Sequence, residues 1–295
     1  MELRHLRYFV TVAEELHFSK AAEKLYVTQP ALSKQIRALE TELQVQLFDR
    51  AKQKIELTAA GVVFLETARR ILLEIEQGIE KTRQVARGEI GKLKIGFTAS
   101  ALQTVLPEIL DKFRQIYPNV ELNLKEICTE DQVEALQDRQ IDLGFLHPPI
   151  RDRSNSLSLH LLGEESILVA IPASHPLAAL EKISFKSLAN EPIIAYPRQK
   201  APVLYEQFLQ LFQQAGFVTN IVQEVKMTQT RLGLVAAGVG ISFITANVQN
   251  LSHQGVVYRS LVEPFPPLQL SVAWCKDNRS PVLKEFLHSI LQNKS

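Results

Sequence analysis

The residues with the clearest chemical potential lie in the segment 28–37, TQPALSKQIR. Leu32, Ile36 and Leu39 recur at helical spacing and predict a buried face. The helix start and the opposite face carry Thr28, Gln29, Pro30, Ser33, Lys34 and Arg37. Glutamine pairs with adenine edges, serine with several base edges, and cations with phosphates or guanine. This surface therefore has the chemistry of a helix that binds the major groove of DNA.

A second, shorter helix is predicted just before this one. Ser19 is expected to cap it, and Ala21 and Leu25 lie on its apolar stripe. Thr28 is expected to cap the following helix, whose first turn tolerates Pro30. Two helices joined by a tight turn are typical of a helix-turn-helix. Periodicity alone leaves a solvated helical hairpin as the alternative.

Two short alternating segments follow, LFDR at 47–50 and KIEL at 54–57, and predict a β-hairpin. Arg50, Lys52 and Lys54 place cations on this hairpin. A basic hairpin beside a helix-turn-helix fits phosphate contacts next to base contacts. The sequence therefore predicts a winged helix-turn-helix that binds double-stranded DNA.

Residues 1–61 resemble the winged helix-turn-helix of the LysR-type transcriptional regulators, in the runs MELRHLRYFVTVAEELHFSKAAEKL, VTQPALSKQIRALE and LFDR…LTAAG. The resemblance implies a homodimer or homotetramer that bends operator DNA and changes conformation when an effector binds. Many relatives carry Arg where this chain has Lys34. Because lysine lacks the planar fork of arginine, Lys34 is assigned to a phosphate contact.

The overall charge gives little support to DNA binding. The chain of 295 residues has a net charge of +1, and residues 1–58 hold nine Lys or Arg against eight Asp or Glu. The DNA prediction therefore depends on placement rather than on excess charge. No secretory signal and no apolar run of the roughly 20 residues that span a bilayer are found. Because Cys128 and Cys275 lack a CxxC partner, a cytoplasmic protein is expected.

A long helix is predicted from Ala59 to Arg87, with Thr58 as its cap and Gly88 after its end. Its seam at 3–4 spacing consists of Leu65, Ala68, Leu72, Ile75, Ile79, Thr82 and Ala86. A single exposed helix leaves such a seam unburied, so the helix is predicted to pair two chains. Packing within the same chain is the alternative.

From Lys92 onwards, predicted strands alternate with helices, which indicates an α/β domain with a parallel sheet. The chain is expected to cross between two lobes near 161–163 and near 264–267. This layout resembles the periplasmic-binding-protein-like effector domain of LysR-type regulators. The predicted divisions are a DNA-binding domain at 1–58, a linker helix at 59–88 and an effector domain at 89–295, with lobe I at 91–161 and 268–295 and lobe II at 162–267.

A ligand site is predicted where strands of this sheet end, because ligands of open α/β sheets bind outside the carboxyl ends of strands. Thr98 and Ser100 follow the first strand, and Thr129 follows the second. The second lobe offers Pro197 and Pro202 before its own helix. Helix starts favour anions, and hydroxyls add oriented hydrogen bonds. Plain N-capping of each helix is the alternative.

The runs GFTAS, CTEDQVEAL, IIAYP and LGLVAAGVGIS are similar to LysR-type regulators of aromatic-acid degradation, which respond to benzoate or muconate. That resemblance implies that Ser100 and Thr129 hold a carboxylate. Some muconate responders have Arg where this chain has His147, so a monocarboxylate and a dicarboxylate both stay open. A cationic His147 predicts binding that weakens as pH rises through neutrality. Other candidate cations are Arg198, Lys200 and Lys226.

Enzyme chemistry is not predicted, because GxSxG, HExxH and P-loop motifs are absent and the seven His lack metal-ligand spacing. No cofactor or metal is expected. The predicted partners are operator DNA, a small carboxylate and, for an activator, RNA polymerase. A solute-binding protein and a redox sensor built on Cys128 or Cys275 are the remaining alternatives.

Overall fold

The structure is a computed structural model. It describes residues 1–49, 54–152, 154–200, 202–251 and 253–291. The chain divides into two compact units, Met1–Gln84 and Val85–Ser295. In the described parts of the chain, no helix combines the length and the apolar character needed to cross a membrane.

The first unit consists of a helix-turn-helix, a hairpin and a long helix. Its elements are α1 (Leu3–Glu15), α2 (Phe18–Lys24), α3 (Gln29–Leu43), β1 (Phe48–Asp49), β2 (Glu56–Leu57) and α4 (Ala59–Ala86). The inner faces of the helices meet in a core that includes Phe9, Ile36 and Leu39, all fully buried. The predicted buried stripe of α3 and the antiparallel hairpin are both confirmed.

Helix α2 begins before the predicted cap at Ser19. Phe18 is its first residue and is buried in the core of the unit. The ring of His17 accepts a hydrogen bond from the Lys20 amide over 3.4 Å and so caps the helix. The Ser19 cap is therefore wrong, because core packing of Phe18 fixes the helix start. Thr28 is the N-cap residue of α3 as predicted, but its hydroxyl makes no capping bond.

Helix α4 begins as predicted, because Thr58 Oγ1 accepts a hydrogen bond from the Gly61 amide over 3.0 Å. It ends at Ala86, and Gly88 follows at φ +74°, a left-handed backbone that favours glycine. The first half of the predicted seam packs on the core of its own unit; these residues are Leu65, Ala68 and Leu72. That half is an intramolecular contact, whereas Ile79 further along is 45% exposed.

The second unit contains two α/β lobes. The first lobe is built from β3 (Gly91–Phe97), α5 (Ala99–Gln103), α6 (Leu106–Ile116), β4 (Val120–Glu126), α7 (Thr129–Gln137), β5 (Leu143–Leu146) and β6 (Leu157–Glu165). The second lobe is built from β7 (Ile167–Pro172), β8 (Lys182–Ile183), β9 (Pro192–Ala195), α8 (Pro202–Gln214), β10 (Asn220–Glu224), α9 (Thr228–Ala236), β11 (Ser242–Thr245) and β12 (Val256–Leu261). The chain then returns to the first lobe as β13 (Leu268–Cys275) and α10 (Pro281–Leu291).

The sheets are mixed rather than parallel. In the first lobe the order is β4-β3-β5-β13-β6, in which β3, β4 and β5 run parallel while β13 pairs antiparallel with β5 and β6. The second lobe holds the sheet β11-β7-β12-β8 and the parallel pair β10-β9. The predicted parallel arrangement is therefore wrong for two strands, β7 in the second lobe and β13 in the first. Each is the strand by which the chain enters its lobe after a crossing, and each runs opposite to its neighbours.

Strand β6 extends the first lobe past the predicted crossover at 161–163. It pairs with β13 along its length and ends with Glu165 opposite Leu268. The chain therefore crosses at Ser166, between β6 and β7. The second crossing, between β12 and β13, includes residues 264–267 as predicted.

Candidate functional site

Helix α3 exposes the polar surface that the sequence predicts for DNA. Gln29, Lys34 and Arg37 are exposed, and Ser33 is half-buried. Pro30 lies in the first turn, where the missing amide costs the helix no hydrogen bond. The candidate base-contacting and phosphate-contacting side chains therefore share one face of one helix.

The hairpin beside α3 is held by the pairing of Phe48 with Leu57. Of the three predicted cations on this wing, Lys54 is described and exposed. Arg50 and Lys52 lie outside the described residues. The phosphate-contacting role of all three stays a prediction.

A cavity of about 590 Å³ lies between the two lobes of the second unit. The first lobe contributes polar side chains to its lining, at positions that the sequence predicts: Thr98, Ser100, Thr129 and His147. These four residues follow the carboxyl ends of the neighbouring strands β3, β4 and β5. The carboxyl ends of neighbouring parallel strands lie at the same edge of the sheet, which explains why residues far apart in sequence meet here.

These four residues form one hydrogen-bonded group, called here the hydroxyl cluster. The Nε2 atom of His147 lies 2.6 Å from Ser100 Oγ and 3.4 Å from Thr98 Oγ1. The backbone amide of His147 donates to Thr129 Oγ1 over 3.2 Å. Ser100 and Thr98 are themselves 3.2 Å apart through their hydroxyl oxygens. Thr98 is the N-cap residue of α5 but makes no side-chain capping bond, and the N-cap residue of α7 is Cys128 rather than Thr129. The alternative of plain N-capping is therefore not supported.

His147 is neutral in this setting. Its Nδ1 atom lies 2.8 Å from the Gln269 carbonyl, an acceptor only, so Nδ1 carries the proton and Nε2 accepts from Ser100. Burial lowers the pKa of His147 to about 4, and the Gln269 carbonyl offsets only part of this effect. The hypothesis of a cationic His147 that titrates near neutrality therefore gains no support.

Gln132 fixes the positions of the elements that carry the hydroxyl cluster. Its fully buried side chain donates from Nε2 to the carbonyls of Ile127 and Phe145, over 2.9 Å in each case. These bonds tie α7 to the ends of β4 and β5, which bear Thr129 and His147. A Cβ added at Gly144 would lie 2.5 Å from Gln132 Oε1, so glycine leaves room for this amide.

The remaining predicted site residues are less well placed. Pro197 and Pro202 are not among the described residues that line the cavity. Arg198 forms an ion pair with Glu206. Two lysines do line the cavity: Lys200, which pairs with Asp131 at 2.9 Å, and Lys226, which is exposed.

Arg231, on α9, is the main lining residue that the sequence reasoning did not single out. It is 8% exposed and lies 5.7 Å from the centre of the Tyr196 ring. Its position next to Leu232 and four residues before Val235 puts it on the buried face of α9. That spacing is visible in the sequence, and it indicates a cation on the buried face of a helix. The second lobe also contributes a set of aromatic rings, Phe208, Phe212 and Phe243.

Neither cysteine has the surroundings of a reactive thiol. Cys128 and Cys275 are both free and buried, and burial raises the pKa of both thiols. Cys275 donates its thiol hydrogen to the Leu136 carbonyl, with Sγ and O 3.1 Å apart. A raised pKa disfavours the thiolate, so the redox-sensor alternative gains no support.

Comparison with known proteins gives matches over both units. The bacterial regulatory helix-turn-helix model of the lysR family matches residues 3–62, and the LysR substrate binding domain model matches residues 86–295. The chain is 43% identical to the HTH-type transcriptional regulator AlsR of Bacillus subtilis, over 98% of this chain and 95% of AlsR. It is 38% identical to the HTH-type transcriptional regulator BenM of Acinetobacter baylyi, over 92% of this chain and 90% of BenM. Because identity to AlsR exceeds that to BenM, the predicted aromatic-acid branch is not confirmed.

Solved structures agree with these matches. Full-length CbnR in complex with its target DNA has a TM-score of 0.83 and 28% identity, with 100% of both chains covered. The BenM effector binding domain with its effector benzoate has a TM-score of 0.60 and 32% identity, over 69% of this chain and 91% of that one. The predicted winged helix-turn-helix and two-lobed effector domain are confirmed, and the matching families are regulators rather than enzymes. The chain belongs to the LysR family of transcriptional regulators.

Proposed function

We propose that a small carboxylate, derived from an aromatic compound, binds in the cavity between the lobes and controls the binding of this regulator to its operator or its activation of transcription. The hydroxyl cluster carries this proposal. Ser100 and Thr129 come from different strand ends and face one cavity. Because a carboxylate only accepts hydrogen bonds, the Ser100 hydroxyl turns its hydrogen from His147 Nε2 to the ligand when the ligand binds. Oriented hydroxyls replace the hydration that a carboxylate loses when it is buried.

The aromatic character of the effector is supported by the opposite wall. Phe208, Phe212 and Phe243 of the second lobe line the cavity and stack edge to face with ring centres 5.1 to 5.4 Å apart. Rings in this arrangement favour a flat apolar body. BenM, which binds benzoate in a domain of the same fold, is consistent with this chemistry.

On the DNA side, α3 enters the major groove of a two-fold operator. Gln29, Ser33 and Arg37 contact base edges, while Lys34 and the wing cations contact phosphates. The exposed second half of α4 pairs two chains, and the pairs assemble as a homodimer or homotetramer. Linked domains bind more tightly than one, since each raises the effective concentration of the next. If the protein is an activator, RNA polymerase is a further partner.

The test is calorimetric titration of benzoate and other small carboxylates into the full-length protein. Ser100→Ala is expected to lose about 1.5–3 kcal/mol of affinity, the range for a hydrogen bond to a charged group. That is about tenfold to more than a hundredfold in Kd. Ser158→Ala is the matched control, because Ser158 lies half-buried on β6 and away from the described cavity lining. Unchanged affinity in Ser100→Ala contradicts the proposed site.

A further inference from the structure

Arg231 is a buried cation in the lining of the effector cavity. Its guanidinium donates to the Phe243 carbonyl over 3.3 Å, to the Thr228 hydroxyl over 3.4 Å and to the Ser242 hydroxyl over 3.5 Å. All three acceptors are neutral, and all three bonds are long for a charged donor. The guanidinium is therefore held in place without strong partners.

Among the described residues, no carboxylate compensates this charge. The guanidinium also lies over the Tyr196 ring, 5.7 Å from the ring centre. The Nε atom of Arg231 is buried and has no hydrogen-bond acceptor in the described structure. Burial lowers the pKa of Arg231 to about 10, so the group still carries its charge at neutral pH. A buried charge without a counter-ion is costly, and an anion from solution would relieve that cost.

Other cations around the cavity are less suited to this role. Lys200 is paired with Asp131 at 2.9 Å, and Arg198 is paired with Glu206. Lys226 is exposed, so water and salt screen its charge. An anion in the cavity therefore interacts most strongly with the buried guanidinium.

We infer that Arg231 binds a second acidic group of the effector, so that the effector is a diacid held between the two lobes. The inference rests on the proposed function, which places the first carboxylate at Ser100 and Thr129 in the first lobe. Those hydroxyls supply hydrogen bonds but no charge, and the neutral His147, whose ring hydrogen points to the Gln269 carbonyl, supplies no charge either. Arg231 supplies the charge from the second lobe, and its planar fork matches the geometry of a carboxylate.

The test compares acids that differ by one carboxylate. Benzoate and the three benzenedicarboxylates are titrated calorimetrically into the full-length wild type, Arg231→Met and Ser100→Ala. The wild type is expected to bind at least one diacid about tenfold more tightly than benzoate, which corresponds to about 1.4 kcal/mol. Arg231→Met is expected to lose this preference while its Kd for benzoate stays within about threefold. Ser100→Ala is expected to weaken both classes of acid.

Thermal unfolding of the ligand-free protein gives an independent measurement. Methionine has a similar length to arginine and removes the uncompensated charge, so the Tm of Arg231→Met is expected to equal or exceed that of the wild type. Arg198→Met is the matched control, because Arg198 is exposed and paired; its Tm and its preference for diacids should not change. A Tm that falls in Arg231→Met, together with an unchanged preference for diacids, assigns Arg231 a purely structural role and overturns the inference.

Two further outcomes separate this inference from the proposed function. Equal affinity of the wild type for benzoate and all three diacids, or a diacid preference that persists in Arg231→Met, overturns the role of Arg231 and leaves the carboxylate site standing. If Ser100→Ala binds like the wild type while Arg231→Met loses the diacid preference, the first site is misplaced and the role of Arg231 holds. Failure of all four acids to bind overturns both.

Discussion

Replacing His147 by Gln removes a titratable ring from the hydroxyl cluster while keeping one donor and one acceptor. The ring is neutral because its Nδ1 hydrogen points to the Gln269 carbonyl and burial lowers its pKa from 6.5 to about 4. In the unfolded chain the pKa returns to its ordinary value. Protonation at mildly acidic pH therefore favours the unfolded chain, and His147→Gln should remove this effect.

The size of the effect follows from the two pKa values. Because the folded pKa is the lower one, the contribution of His147 to stability is complete above pH 6.5 and is lost as pH falls toward 4. One pKa unit corresponds to about 1.4 kcal/mol, so the full loss is about 3 kcal/mol. Between pH 7 and pH 5 the expected loss is about 2 kcal/mol, when both protonation states are weighted.

The assay is urea unfolding of wild type and His147→Gln at pH 7 and pH 5. A comparison of variants is needed because Glu165 acts in the opposite direction: burial raises its pKa to about 7, so its contribution is complete below pH 4.5 and is lost as pH rises through 7. This contribution is common to both proteins and cancels in the difference. The wild type should lose about 2 kcal/mol more than the variant. Equal losses refute the neutral state of His147.

Three further predictions concern the DNA face, the linker helix and Glu165. Gln29→Ala should lose about 1–3 kcal/mol of binding free energy on the specific operator but little on random DNA, whereas Lys54→Ala should weaken binding to both and reduce its salt dependence. Gel-shift titrations at two salt concentrations measure these affinities. Equal losses of affinity on operator and random DNA for Gln29→Ala refute direct base contacts. Ile79→Asp should abolish dimers in analytical ultracentrifugation, because it places an unpaired charge in the proposed seam; wild-type oligomers would remove α4 from the interface. Glu165→Gln should raise the free energy of unfolding by about 1–2 kcal/mol at pH 8 and by less at pH 5, as measured by urea titrations. If the variant is no more stable than the wild type at pH 8, the raised pKa of Glu165 is contradicted.

The parts of this protein that the sequence predicts well depend on local patterns. Helix α3 follows from Leu32, Ile36 and Leu39, which lie within two turns of each other. Thr98 and Thr129 follow from the ends of recognisable strands. In each case the residues that decide the structure lie close together in the chain.

The parts that the sequence does not predict depend on distant partners. Strand β6 has leucines at alternate positions but becomes a strand through its pairing with β13, about one hundred residues later. The neutral state of His147 depends on the carbonyl of Gln269, which is 122 residues away. Leu72 fits a helix seam equally well whether it faces a second chain or, as the structure has it, the core of its own unit.

Ser100 joins the effector cavity to the contact between the lobes, which suggests how occupancy of the cavity is communicated. Its hydroxyl faces the cavity in the hydroxyl cluster, while its backbone carbonyl accepts a hydrogen bond from Asn247 Nδ2 of the second lobe over 3.3 Å. A second contact between the lobes is the ion pair of Lys200 with Asp131, and Asp131 lies two residues after Thr129. A ligand shifts an equilibrium only by the difference of its affinities for the two states. Both hydroxyls of the proposed carboxylate site lie next to contacts between the lobes. A change in lobe arrangement would therefore alter the site itself and would supply the required difference of affinities.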